Sequence, residues 1–259
     1  MVDKMSAPVL LAALGGMSIF VAIEAAWLYS RVLPFGYRHR IDSPVVRVFL
    51  LALYAIGLPY FALMNGLLPP RFFGLRGWDA LASAFSPQPI AKFIPNFLLG
   101  TGNALYLWLS DFGPLLTTVG IMGGTFIVFL MLFRRNKPLS AATGQPSAFL
   151  TLFDVVHSGF YRAIFWRLLG NLYLATLGGV VILALEWIAV ARAGQFSPDD
   201  TKRLTLRFGL TLISSIAFIF APNLWLVGIA HWALWWAVFL GAQLWHSPNY
   251  QWPAKQSVD

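Results

Sequence analysis

An all-α bundle of membrane-spanning helices is the fold this sequence predicts, and three observations lead to it. Hydrophobic residues make up 58% of the 259-residue chain and charged residues only 11%, with a mean hydropathy of +0.70, which leaves too little polar surface to coat a soluble domain. The apolar runs are long and unbroken, as helices require, and lack the alternation of closed-barrel strands, the other fold that satisfies its backbone in hydrocarbon. Lys and Arg gather in short segments beside those runs, where they set topology and meet anionic head groups. The net charge of +8 therefore points to the lipid bilayer as partner and not to nucleic acid. Cys is absent, which excludes disulfides, thiolate nucleophiles and Cys-ligated metals.

About seven spans follow in order, given that each needs about 20 apolar residues. Val9 to Ser30 is the first; it is too long for a signal-peptide core and contains Glu24, so it is expected to be retained. Val45 to Leu68 is the second. Arg31, Arg38, His39, Arg40 and Arg47 lie between and beside them, the densest basic loop, expected in the cytoplasm with the N-terminus outside. Pro69 to Lys92 is broken by Pro69-Pro70, Gly74, Gly77, Pro87 and Pro89 and reads as interfacial, with Trp78 as anchor. Pro114 to Phe133 spans and ends at Arg134, Arg135 and Lys137, a second basic loop. For that loop also to be cytoplasmic, Ile94 to Leu109 must be re-entrant or interfacial; if it crosses fully, the count rises to eight. After the polar linker to Ser147 come Phe149 to Leu169, Leu172 to Ala191, Leu204 to Pro222 and Leu224 to Trp245. The expected organisation is thus N-terminal membrane helices over 1–147 with an interfacial segment at 69–113, a four-helix membrane core over 148–245, and a cytoplasmic tail over 246–259.

Ionisable residues inside spans are costly and mark places where something must pair with them. Asp154, His157, Ser158, Tyr161 and Arg162 fall at i, i+3, i+4, i+7 and i+8, one face of a helix. That stripe is expected to face inward, as a packing network or as the wall of a functional cavity. Glu24, Glu186 and His231 lie in other spans. A buried Arg needs a counter-charge; Asp154 shares the helix of Arg162 but lies two turns away, so Glu186 is the expected partner.

The segment from about Leu150 to Gly241 resembles the CPBP family of intramembrane metallo-endopeptidases, which includes the type II CAAX prenyl proteases and bacteriocin-processing proteins. His157-Ser158-Gly159-Phe160-Tyr161-Arg162 has the shape of the family's Glu-Glu-x-x-x-Arg helix with the Arg kept. Asn223-Leu224-Trp225 through His231-Trp232 is similar to the entry of its His-x-x-x-Asn helix with the His kept. The departures are His157 and Ser158 in place of the paired glutamates, Trp187 after Glu186 in place of the middle His, and Trp235 in place of the Asn. In the family the glutamates activate water and the His residues hold a metal, a division of labour that needs a carboxylate base beside neutral imidazoles. This chain has two Glu in total, and they are not adjacent.

The resemblance therefore implies vestigial site positions at His157, Ser158, Arg162, Glu186, Trp187, His231 and Trp235, with no metal site and no catalytic residue assigned, and the ionisable residues within spans add an expected buried polar network of Asp154, Tyr161 and Glu24. The preferred function is a non-catalytic accessory or scaffold subunit of a larger membrane complex in a bacterial cytoplasmic membrane. The 11 Trp and 22 Phe suit helix packing and partner surfaces. One alternative is a metallo-endopeptidase with a rearranged site, which alone would call for zinc. The other is a small transporter or a pigment- or haem-binding subunit.

Overall fold

A computed structural model of the protein describes residues 6–32, 43–75, 90–133, 147–194 and 198–245. Those residues form helices, with no strand among them. The basic segments around 38–40 and 134–137, Trp78 and the tail over 246–259 lie outside the described residues.

Helix α1 (Ser6–Trp27) runs into a wider π-type turn, Leu28–Val32. The second span is three pieces end to end: α2 (Pro44–Ala52), a π-type turn (Leu53–Gly57) and α3 (Leu58–Met64). Pro59 explains the widening, because its ring crowds the Ala55 carbonyl and it has no N–H to donate. One short turn, α4 (Pro70–Phe73), ends at Gly74, whose φ of +76° is the left-handed conformation that glycine adopts without strain. Then come α5 (Ile90–Phe133), α6 (Ala148–Leu169), α7 (Leu172–Ala193), α8 (Pro198–Phe220) and α9 (Leu224–Trp245). Five helical stretches are long and apolar enough to cross a membrane: Ala7–Val32, Ile94–Leu130, Leu172–Ala193, Asp200–Phe220 and Leu224–Gln243.

Helix α5 departs from expectation. The re-entrant piece at 94–109 and the span from 114 are one continuous 44-residue helix, about 66 Å long at ~1.5 Å per residue. Pro95 and Pro114 lie inside it, and the hydroxyls of Thr117 and Thr118 donate to the Gly113 and Pro114 carbonyls (3.0 and 2.8 Å). In an apolar run the chain does better to stay helical through a proline than to expose a broken backbone to lipid. The positive-inside argument constrains where Arg134 sits but does not by itself require a break.

Helix α6 is the hub. Helices α1, α4, α7, α8 and α9 and the turn at 53–57 all pack on it, and it is buried on every side from Phe153 to Ile164, with only Val156 partly open. Lipid cannot solvate its polar face, so this helix is enclosed by the others. Two junctions fold it back. Gly170, at φ +65°, closes α6 with its N–H donating to Trp166 O (2.9 Å), and Asn171 caps α7 by accepting from Leu174 N (3.1 Å). The ends of α6 and α8 therefore share one end of the bundle with the starts of α7 and α9. At this end α4 is packed inward: Phe73 stacks on Phe160 and Phe72 meets Trp166 edge-on, and Leu224 N donates to Gly74 O (2.8 Å). Part of the segment expected to be interfacial is thus core.

Without a hydrophobic force between helices in lipid, close backbone approach supplies much of the attraction. Gly179 is where α7 comes nearest α6: a Cβ there would lie 2.9 Å from the Arg162 backbone N. Gly124, on the exposed side of α5, has nothing within 4 Å. Gly179→Val is expected to destabilise the detergent-purified protein by roughly 1–3 kcal/mol through overpacking, whereas Gly124→Ala leaves thermal unfolding unchanged. Equal melting curves for the two variants would remove the close-approach account.

Candidate functional site

The polar side chains of the core fall into separate groups. The first is built around Glu186 on α7. The Tyr54 hydroxyl donates to Oε1 (2.6 Å), the Tyr161 hydroxyl donates to Oε2, and His157 Nε2 lies 3.1–3.2 Å from both oxygens. Each hydroxyl has one proton, so with both tyrosine protons on Glu186, Ser18 on α1 is left to donate to Tyr161 or Tyr54 (3.2 and 3.4 Å). For His157 to bond the carboxylate its proton must be on Nε2, which leaves Nδ1 buried without a partner among the described residues. Every neighbour can donate and none requires the carboxyl to do so, which matches the acceptor-only carboxylate. The His157 ring also packs between Tyr54 and Tyr161, with centroids 4.7 and 4.9 Å away.

The second group joins α6 to α8. Arg207 turns its Nε and Nη2 edge on Asp154, with Nε donating to Oδ2 (3.1 Å) and Nη2 to Oδ1, the bidentate fork that suits a carboxylate. Its guanidinium also lies 5.2 Å from the Trp187 ring, which meets Phe208 edge-on. In a third place, His231 Nδ1 and Ser214 Oγ are hydrogen-bonded at 2.9 Å. In a fourth, Arg162 is 3% exposed and its guanidinium carbon stands 3.2 Å above the Phe218 ring, a cation–π contact. The Nε and Nη2 of Arg162 meet no acceptor among the described residues.

All five residues of the predicted stripe, Asp154, His157, Ser158, Tyr161 and Arg162, are buried. Ser158 turns back on its own helix, donating to Val155 O. Two expectations are corrected. Glu186 is not the partner of Arg162: it faces His157, one turn earlier on α6, and the tyrosines reach it first. Glu24 is not in the buried network but exposed on α1, because the buried side of that helix is the narrow line of Leu11, Leu14 and Ser18. Trp187 and Trp235 are half-buried packing residues, Trp235 against the cluster of Leu206, Leu210, Ile213, Leu234 and Val238. His157 and His231 belong to different groups, and among the described residues no three His, Cys, Asp or Glu side chains come together as a metal site.

The sequence reasoning missed Tyr54, Ser18, Arg207 and Ser214. Arg207 carried a signal, since an Arg inside a predicted span is subject to the same rule as Glu24. A hydroxyl in an apolar run carries none. No family model, curated protein or solved structure matches the chain.

Burial separates the two carboxylates energetically. Glu186→Ala strands the buried His157 and Tyr161 and the partly buried Tyr54 and is expected to cost about 3–5 kcal/mol. Asp154→Ala is expected to cost less, because Arg207 lies in the second turn of the candidate span Asp200–Phe220 and its side chain is 40% exposed, so it can snorkel to the head-group level. Tyr54→Phe, which removes one of several donors, is expected to cost about 1 kcal/mol. Unfolding in mixed micelles gives the order; Asp154→Ala as the worst of the three would contradict it.

Proposed function

We propose that the chain is a CPBP-like membrane protein that performs no hydrolysis and works by binding, as an accessory or scaffold subunit of a larger complex in a bacterial cytoplasmic membrane. The observation that carries this reading is that the buried carboxylates Asp154 and Glu186 and the imidazoles of His157 and His231 are each hydrogen-bonded to a neighbouring side chain. Glu186 is occupied by two tyrosines and a histidine, Asp154 by Arg207, and His231 by Ser214. A metallopeptidase needs a carboxylate free to take a proton from water and imidazoles free to hold a metal. Helix α5 adds support: its N-terminal half exposes Leu98, Leu99, Leu105, Tyr106 and Leu109 on a helix about twice the ~30 Å hydrocarbon thickness, a surface suited to other subunits. The metallopeptidase alternative draws on one contact only, the pairing of Glu186 with His157.

In this reading there are about seven spans, α1, the α2–α3 pair and α5 through α9, which puts the N-terminus outside and the tail in the cytoplasm. Single cysteines at positions 40, 142 and 257 of this naturally Cys-free chain are then all expected to resist an impermeant thiol reagent in intact cells. Labelling of one and not the others would require a different number of crossings.

Affinity purification of the tagged chain from native membranes is expected to bring down another membrane subunit in fixed stoichiometry. A chain that purifies alone, holds stoichiometric zinc and shows chelator-sensitive peptide cleavage would replace the scaffold with the peptidase.

A further inference from the structure

The geometry points to Arg162, with Asn223, as a phosphate-binding site between α6, α8 and α9 at the end of the bundle where α9 begins. Two arginines in this core can be compared directly. Arg207 presents its Nε–Nη2 edge to both oxygens of Asp154. Arg162 leaves the same edge without an acceptor, although it is the more deeply buried of the two. Phe218 covers the flat face of its guanidinium but supplies nothing to the N–H groups in the plane. An in-plane fork of two donors matches two oxygens of one oxyanion.

Asn223 adds a donor at the same junction. It is fully buried, and its Oδ1 is used to cap α9 by accepting from Leu226 N (3.3 Å), while its Nδ2 meets no acceptor among the described residues. Arg162 lies beside the start of α9: a Cβ built on Gly159 would lie 3.3 Å from both Arg162 Nη2 and the side chain of Leu224, the residue after Asn223. Phe73 lies beside Gly159 and Phe218 over the guanidinium, and among the described residues no acceptor meets the Nε or Nη2 of Arg162.

Depth selects the class of anion. Arg167, Tyr173 and Trp225 are exposed at this end, the residue types that anchor at the head-group level. Arg162 lies five residues before Arg167, about 7 Å deeper at ~1.5 Å per residue. At that depth a two-donor guanidinium fork suits the oxygens of a phosphodiester head group. A free phosphate ion has the same chemistry, and the two sources are separable.

The test uses the delipidated full chain in detergent, with phosphatidylglycerol, uncharged diacylglycerol, or inorganic phosphate in diacylglycerol micelles at constant ionic strength. Thermal unfolding and native mass spectrometry read binding. Wild type is expected to retain one phosphatidylglycerol and to melt higher with it than with diacylglycerol. Arg162→Gln should weaken retention by about tenfold or more, the loss of a charge-assisted pair. Asn223→Ser, which keeps the capping oxygen, should weaken it several-fold, and the exposed Arg167→Gln should not change it. Arg162→Lys keeps the charge but loses the fork and is expected to bind more weakly than wild type, which keeps the proposal testable if Arg162→Gln does not fold. Stabilisation by inorganic phosphate alone assigns the site to the free ion, and stabilisation by phosphatidylglycerol alone assigns it to the lipid. The proposal is overturned if neither binds wild type, if Arg162→Lys or Arg162→Gln binds as wild type does, or if Arg167→Gln abolishes binding as fully as Arg162→Gln.

Discussion

Hydrocarbon offers no hydrogen-bond partners, and α6 carries Asp154, His157, Ser158, Tyr161 and Arg162 on one face; from this constraint most of the architecture follows. A helix with that face cannot border lipid, so others must surround it, and each surrounding element brings a complementary group or a close apolar contact. Helix α7 brings Glu186, α8 brings Arg207 and Phe218, α1 brings Ser18, and the turn at 53–57 brings Tyr54. The surrounding helices are the shell, and α6 is the axis.

Local backbone devices make those meetings possible. The wide turn ahead of Pro59 carries Tyr54 onto Glu186, a use of π-type geometry that recurs where a helix must redirect one side chain. Gly179 brings the α7 backbone against α6 at Arg162, and Gly74 lets α4 tuck under Phe218 and the α8–α9 turn. Each exchanges a side chain for proximity. In lipid that exchange favours association, because helix contact depends on packing and on internal hydrogen bonds.

The polar groups differ in how completely they are engaged, and that difference separates structure from potential function. Glu186 is saturated with donors, and Asp154 has a full bidentate partner. Such pairs hold helices in register. Arg162 is a charged group whose Nε–Nη2 edge meets no acceptor among the described residues, and it stands where α6, α8 and α9 meet near the end of the bundle. Any binding role of this core is best sought there and along the long exposed flank of α5.

The helical membrane fold was legible from the sequence because hydrocarbon imposes it: runs of about 20 apolar residues have only one common way to satisfy their backbone. The inward face of α6 was legible for the same reason, as was the break between Leu169 and Leu172. Partners were not. Periodicity orients a side chain around its own helix but says nothing of which neighbour arrives opposite it, so Glu186 was assigned to Arg162 while the fold gave it to His157, Tyr54 and Tyr161. Glu24 looked like Glu186 in sequence and differs only in facing outward, a matter of which side of α1 meets the bundle. The continuity of α5 through Pro114 was likewise a tertiary outcome. What the sequence alone determined was the solvent and the secondary structure, through local hydrogen bonding and hydropathy; which polar groups pair, and which one is left over, was decided only when the helices packed.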